Sequence, residues 1–191
     1  FDFLQAHTNI ARSVPVAPVP IQLADLSAAA AGPRPPHVFV FVVDSLRRDY
    51  LSPYNRAVTF TPAIDAFAGE STVFTRGFTR YGATGLSVPS IWVGGMVLHK
   101  QYVLPFAPMN ALHDLLGHHG YRRWMSMDNI VDIIMPRTGA LDEIDQGRAV
   151  GDFRMCSSID DVRARLDRLA SDPTPTFVWS LPQDVHVAVL N

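Results

Sequence analysis

Apolar and polar residues follow one another along the chain in blocks that predict strands and helices in turn. Every residue from Val38 to Val43 is apolar, and most are β-branched or aromatic. This pattern favours a central strand of a sheet that helices cover on both faces. Further strands are predicted over Thr72–Thr75, Tyr121–Met127 and Thr176–Leu181.

Four segments between these strands have the apolar spacing or the capping residues typical of helices. They are 62–68 after Thr61 as N-cap, 89–98 with Pro89 in its first turn, 110–118, and 159–170 after Ser157 or Ser158. Strands that alternate with helices predict an α/β fold with a mostly parallel sheet flanked by helices.

The two ends of the chain differ from this pattern. Residues 1–36 are rich in proline around a short alanine run and are predicted to form a linker or arm. The ordered domain is predicted over residues 37–191. The chain begins at Phe1 without Met and stops after the apolar run Val187–Leu190. We therefore expect a shortened piece of a longer protein, with a signal peptide, a membrane anchor or only a tag site as candidates for any part in front.

Composition narrows the classes of partner and of fold. The formal net charge of −2 over 191 residues provides no broad basic surface, so nucleic acid is not an expected partner. The only cysteine, Cys156, excludes an internal disulfide and a thiolate metal cluster within the chain. No apolar run approaches the roughly 20 residues that a membrane-spanning helix needs.

Asp44 is the first candidate for chemistry, because it follows the apolar strand directly. Open α/β sheets place ligands at the carboxyl edge of their strands. A carboxylate held there by a buried strand can bind a hard divalent cation. It can equally cap the turn that follows, and the spacing alone leaves both interpretations open.

Thr84 and Ser87 are the second candidates, since they lie in a glycine-bearing segment that leads into a predicted helix. A hydroxyl at a helix N-terminus beside a metal ion can act as a nucleophile. The same position favours a phosphate or sulfate ester. Capping of the helix by either hydroxyl is the alternative.

The segment 37–78 resembles the opening of catalytic domains in the sulfatase and alkaline phosphatase superfamily. In that superfamily an apolar strand ends in an acidic metal ligand, often followed by Leu-Arg and another acid, as in His37–Asp49. Residues 61–68 resemble its "TPNID-LA" element and residues 73–78 its "-VFTNAY" strand. The resemblance implies an alkaline-phosphatase-like fold, with Asp44 as ligand of a divalent metal such as Zn, Mn, Ca or Mg.

The resemblance also implies the reaction: hydrolysis or transfer of a small anionic sulfate or phosphate ester through a covalent Thr or Ser intermediate. Sulfatases carry a Cys or Ser, two residues before a proline, that becomes formylglycine, and an arginine follows. Ser87 has this spacing, but Ile91 stands where the arginine belongs, so formylglycine is not expected. Residues 83–89 are similar to the nucleophile segment of bacterial phosphoethanolamine transferases, which implies Thr84 as nucleophile with Ser87 as the alternative.

Two further sites come from the same resemblance. His186, after the last predicted strand, corresponds to a histidine near the leaving group or metal, with Asp184 beside it. An imidazole there would bind the ester oxygen or protonate the departing alkoxide. His99 and Lys100 lie roughly where sulfatases carry basic residues that face the substrate anion. A solvated helix end with favourable cations is the alternative for this pair.

The resemblance covers the N-terminal part of such a domain only. Full-length members carry a second, acidic and histidine-rich metal motif further along, and it has no counterpart here. We therefore expect this chain to bind metal weakly and not to turn over substrate alone, in a parent that faces the extracytoplasmic side of a membrane. The alternative is a non-catalytic, sulfatase-like module that binds or scaffolds.

Overall fold

Four parallel strands form one sheet in the part of the chain that the computed structural model describes, which is residues 6–7, 35–95, 106–137, 141–169 and 171–186. Their order across the sheet is β1-β4-β2-β3. The strands are β1 (Val38–Phe41), β2 (Arg122–Met125), β3 (Leu141–Glu143) and β4 (Thr176–Ser180). The helices are α1 (Pro62–Gly69), α2 (Thr84–Val93), α3 (Ala111–His118), α4 (Asn129–Ile134) and α5 (Met155–Arg168). The prediction of an α/β fold with a parallel sheet and flanking helices is confirmed.

β4 joins the sheet together, because it pairs with β1 on one side and with β2 on the other. All five of its residues are buried. Its side chains alternate between the two faces, as a strand requires. Phe177 and Trp179 pack into the larger core cluster, whereas Val178 packs into the smaller one on the opposite face.

The larger cluster lies between the sheet and α2, α3 and α4. Trp92 of α2 is fully buried at its centre, where its ring meets Phe177 edge-on at 5.8 Å and Trp179 at 5.2 Å between centroids. On the other face, α5 covers Trp124 and Val178 through Val162. Both faces of β4 and β2 are therefore covered by helices.

α2 begins earlier than the sequence predicts. The helix starts at Thr84 rather than at Pro89, which lies in the interior, and it ends at Gly94 in the left-handed conformation. An interior proline costs a helix one hydrogen bond. Here the segment Val88–Val93 is largely buried in the larger core, so tertiary packing outweighs the local penalty. Residues 96–98 of the predicted helix lie outside the described ranges.

The predicted strand Thr72–Thr75 is wrong, because this segment has no strand partner and forms no regular structure. Its backbone instead accepts side-chain hydrogen bonds. The carbonyl of Phe74 accepts from the Tyr54 hydroxyl at 3.3 Å, and that of Thr75 accepts from the Arg48 guanidinium at 3.0 Å. β-branched residues alone did not make a strand here.

Helix starts also differ from the sequence-based assignment. Thr61 holds the N-cap position of α1, but its side chain makes no capping bond and pairs with Ser52 instead. α5 begins at Met155, ahead of both predicted serine caps, and Ser158 lies inside it.

None of the helices in the described ranges has the length and apolar character needed to cross a bilayer.

β1 differs from its prediction as a strand covered on both sides. Among the described residues it pairs only with β4 and forms an edge of the sheet. Val38 and Val40 pack against the larger core cluster. Phe39 and Phe41, on the opposite face, remain 43% and 41% exposed.

Candidate active site

Asp44 and Thr84 meet at the carboxyl edge of the sheet. Asp44 follows β1 by three residues, and Thr84 is the first residue of α2. The Thr84 hydroxyl donates a hydrogen bond to Asp44 Oδ2 at 2.7 Å, across 40 residues of sequence. A strand end and a helix start thus bring a carboxylate and a hydroxyl into direct contact.

The turn after Asp44 holds this carboxylate in place. The backbone N–H of Ser45 donates to Asp44 Oδ1 at 2.7 Å. Ser45 itself adopts φ 63°, a left-handed conformation that is uncommon for residues other than glycine. Strained backbone of this kind is concentrated at functional sites. Both carboxylate oxygens of Asp44 are therefore engaged, one by the turn and one by Thr84.

Ser87 points its hydroxyl elsewhere. Its Oγ donates to the carbonyl of Tyr81 at 2.9 Å and lies 3.1 Å from Thr79 Oγ1. These contacts tie the first turn of α2 to the loop before it. The N-cap residue of α2 is Ala83, so neither Thr84 nor Ser87 has the capping role that was their alternative.

His186 reaches the same carboxylate from the loop after β4. Its Nε2 lies 3.6 Å from Asp44 Oδ2, the oxygen that Thr84 also contacts. This distance exceeds a hydrogen bond but permits an ion pair when the imidazole carries a proton. The structure therefore brings together three residues that the sequence singled out: Asp44, Thr84 and His186.

Asp184 contacts the start of α5 rather than Asp44 or Thr84. Its Oδ2 accepts the backbone N–H of Met155 at 2.8 Å, at the first turn of α5. The backbone N–H of Gln183 donates to the carbonyl of Phe153 at 2.8 Å. The loop that carries His186 is thus fastened to the segment that begins α5.

Asp128 is a neighbour of this site that sequence reasoning passed over. It follows β2 at the same sheet edge and is 6% exposed. Its Oδ1 caps α4 by accepting the N–H groups of Ile130 and Val131 at 3.0 and 2.7 Å. Burial raises the pKa of Asp128, the two N–H bonds oppose this, and the charge of Asp44 raises it further. The sequence signal that could have identified Asp128 as a site residue was its position directly after a predicted strand.

The side chains at this site offer only part of a metal-binding set. Within the described ranges, no group of three histidine, cysteine, aspartate or glutamate side chains is placed to hold one metal ion. Asp44 is a suitable oxygen donor for a hard cation, but the described residues do not complete a coordination sphere around it. His99 and Lys100, the predicted substrate-binding pair, lie outside the described residues.

Comparison with protein families identifies a match for the region that contains this site. The family model for sulfatases matches residues 36–145, which is more than half of the 191-residue chain. The matched range includes Asp44, Thr84 and Ser87 and ends before β4 and His186. Comparisons with curated proteins and with solved structures found no match.

Proposed function

This chain belongs to the sulfatase family, and on that premise we propose that its site acts on a small sulfate or phosphate ester through a covalent intermediate on Thr84. The observation that carries this proposal is the 2.7 Å hydrogen bond from the Thr84 hydroxyl to Asp44. A nucleophilic hydroxyl needs a neighbouring base that takes its proton, or a metal ion that stabilises the alkoxide once the proton has left. Asp44 is the group in contact with it.

The choice of Thr84 over Ser87 follows from their hydrogen bonds. The Ser87 hydroxyl donates to a backbone carbonyl, which cannot act as a base. The Thr84 hydroxyl donates to a carboxylate, which can. Thr84 also opens α2, so an anionic group bound beside it lies at the positive end of the helix.

The proposed reaction proceeds in two balanced steps. In the first, the Thr84 oxygen bonds to the phosphorus or sulfur atom, its proton passes to Asp44, and the ester alcohol leaves with a proton from His186. In the second, water attacks the phosphorus or sulfur atom of the threonine ester and gives a proton to the neutral imidazole of His186. The bond from that atom to the Thr84 oxygen breaks, and Asp44 returns its proton to the oxygen. Attack by another alcohol in place of water would make the reaction a transfer.

A divalent cation is proposed as a partner of Asp44. When bound, it would supply positive charge to the ester oxygens and to the threonine oxygen. Asp44 offers one carboxylate to such an ion, and the described residues contain no group of three ligands. We therefore expect metal binding by this chain to be weak, so that the Asp44 carboxylate stays free to take the Thr84 proton, and we assign the proton movements to Asp44 and His186.

A reactivity experiment tests the nucleophile. The chain is incubated with p-nitrophenyl phosphate or p-nitrophenyl sulfate in the presence of Mn²⁺ or Zn²⁺ and is then mapped by peptide mass spectrometry. We expect at most one phosphoryl or sulfuryl group per chain, attached to Thr84. Thr84→Ser should retain the label and Thr84→Ala should lose it, while Ser87→Ala should retain it if the helix start still folds. Labelling of Ser87 in place of Thr84 would contradict the assignment.

A binding or scaffolding module is the second candidate, favoured by the incomplete set of metal ligands in the described residues. Such a module would bind inorganic phosphate or sulfate with the same affinity after Thr84 and Ser87 are both changed to Ala. It would also carry no covalent label with either ester. Titration calorimetry of the double variant, beside the labelling experiment, separates the two functions.

A further inference from the structure

His113 and Arg123 form a contact between α3 and the sheet that the proposed function does not use. The Nη1 atom of Arg123 lies 2.8 Å from His113 Nδ1 and 3.3 Å from His113 Nε2. His113 is the third residue of α3 and is half-buried, whereas Arg123 belongs to β2 and is buried. The contact therefore joins a helix to a strand through one imidazole and one guanidinium.

Arg123 is a cation on an apolar face of the sheet. Met125, two residues further along β2, belongs to the larger core cluster, and side chains two residues apart on a strand share a face. In register, Arg123 pairs with Phe177 of β4 and Leu141 of β3, which lie in or against the same cluster. A guanidinium keeps its charge in proteins and can only donate hydrogen bonds.

This contact determines which form of His113 the fold accommodates. Because arginine only donates, the ring nitrogen that it contacts must carry a lone pair, and the imidazolium has none. The neutral imidazole is therefore the form that fits. Burial, and then the positive charge of Arg123, lower the pKa of His113, and the charge of Asp114 opposes them. Geometry and electrostatics favour the same neutral form.

The elements around α3 contribute few other charges to this contact among the described residues. α2 packs beside α3 in the larger cluster and has no titratable side chain over Thr84–Val93. The turn Ala107–Met109, directly before α3, has none either. On α3 itself, Asp114 is the charged neighbour that acts on the ring. The response of the contact to pH thus depends on His113, with Arg123 and Asp114 as the charges that act on it.

We propose that the contact between His113 and Arg123 is a pH-sensitive switch, which holds α3 on β2 while the imidazole is neutral and breaks when the imidazole takes up a proton. A proton on the contacting nitrogen would replace an acceptor by a donor and would bring two positive charges together in poorly hydrated surroundings. The stability that the contact contributes is complete above about pH 6.5, the usual pKa of histidine. It is lost as the pH falls through the lowered pKa of the folded state.

Urea unfolding of the full chain at pH 8 and pH 5 tests this switch. His113→Gln keeps a carbonyl acceptor for Arg123 but has no group that titrates in this range. Relative to this variant, the ratio of folded to unfolded wild type should fall at least threefold between the two pH values. His119→Gln, at the exposed C-cap of α3, should follow wild type. The same pH dependence in wild type and His113→Gln, or the same change in both variants, would overturn the proposal.

A second background tests the part of Arg123. Arg123→Met replaces the cation by an apolar side chain that suits the surrounding core. In this background the effect of His113→Gln on the pH dependence should be smaller, because one of the two causes that disfavour the imidazolium is gone. An effect of unchanged size would leave burial as the sole cause, and the proposed pair would then be refuted.

Amide hydrogen exchange locates the part of the fold that responds. After correction for the intrinsic rates, the amides of residues 115–118 in α3 should lose more protection between pH 8 and pH 5 than those of β4. The His113→Gln variant should show no such difference between the two elements. An equal loss of protection in α3 and β4 of wild type would mean that acid destabilises the whole fold, and release of α3 would be excluded.

Discussion

Replacing Asp145 by alanine should destabilise the fold strongly, because its carboxylate is a buried acceptor shared by three elements. The side chain has no exposed surface, and it lies two residues after β3. It accepts hydrogen bonds from the hydroxyls of Ser126 at 2.6 Å and Ser158 at 2.9 Å, and from the Arg148 guanidinium at 2.9 Å. One carboxylate thus connects the ends of β2 and β3 to α5.

The size of the effect follows from what the substitution leaves behind. Two fully buried hydroxyls, those of Ser126 and Ser158, would lose their acceptor. Each unsatisfied buried group costs about 1–3 kcal/mol. Asp145 also has φ 57°, a conformation in which alanine is strained. We expect a loss of about 3–5 kcal/mol in the free energy of unfolding, typical of a broken buried ion pair. For a chain of this size the melting temperature would fall by about 6–20 °C.

Urea unfolding, followed by tryptophan fluorescence, measures this loss. Asp145→Asn is the conservative variant, since asparagine tolerates the left-handed backbone and keeps one acceptor oxygen. Asp142→Ala is the matched control on β3, where the side chain is 55% exposed, and it should change stability by less than about 0.5 kcal/mol.

Coupling with the serines gives the sharpest test. If the cost comes from stranded hydroxyls, Ser126→Ala should destabilise the wild-type protein but cost less, or nothing, in the Asp145→Ala background. Strict additivity of the two substitutions, or an Asp145→Ala variant as stable as Asp142→Ala, would refute the reasoning.

Three further predictions concern other parts of the fold. Burial, and then the charge of Asp44, raise the pKa of Asp128, so the folded state binds the Asp128 proton more tightly than the unfolded state does. The stability that this proton contributes is therefore complete at acid pH and is lost as the pH rises. In urea titrations Asp128→Asn, which still caps α4, should therefore be more stable than wild type at neutral pH, and this difference should disappear in strong acid. The Arg122 contact lowers the pKa of Asp172, so Asp172→Asn should lower the melting temperature at neutral pH and match wild type in strong acid. Trp92→Ala should cost about 3–5 kcal/mol in urea unfolding, since the ring is fully buried between aromatic side chains.

Strands and helices could be predicted from the sequence where a clear hydrophobic pattern determined them. The run Val38–Val43 is apolar at every position, so its strand and the exit of Asp44 at the carboxyl edge could be predicted. The α/β order of strands and helices was predictable for the same reason. β3 was missed because its three residues, Leu141–Glu143, are too few and too polar to show a strand period.

The contacts among the candidate residues could not be predicted from the sequence. The resemblance implied Thr84 as nucleophile with Ser87 as the alternative, and the hydrogen bond on which the present proposal rests spans 40 residues. Pro89 suggested a helix start, although packing carried the helix through it. Asp184 and His186 are near neighbours in sequence, yet Asp184 accepts a hydrogen bond from the first residue of α5, whereas His186 lies beside Asp44. Such outcomes are decided by tertiary contacts, which local pattern does not contain.

The strand order has a consequence for how this chain can be divided and synthesised. The region that matches the sulfatase family ends at residue 145, yet β1 and β2 are joined only through β4, at residues 176–180, among the described strands. A protein cut at residue 145 would lack β4, so β1 would lose the strand that connects it to β2 and β3. On the ribosome, the N-terminal strand must wait until β4 has emerged, some 135 residues later, before its backbone can pair. The unit of sequence similarity is thus shorter than the unit of folding, and expression trials should retain the chain through the end of β4.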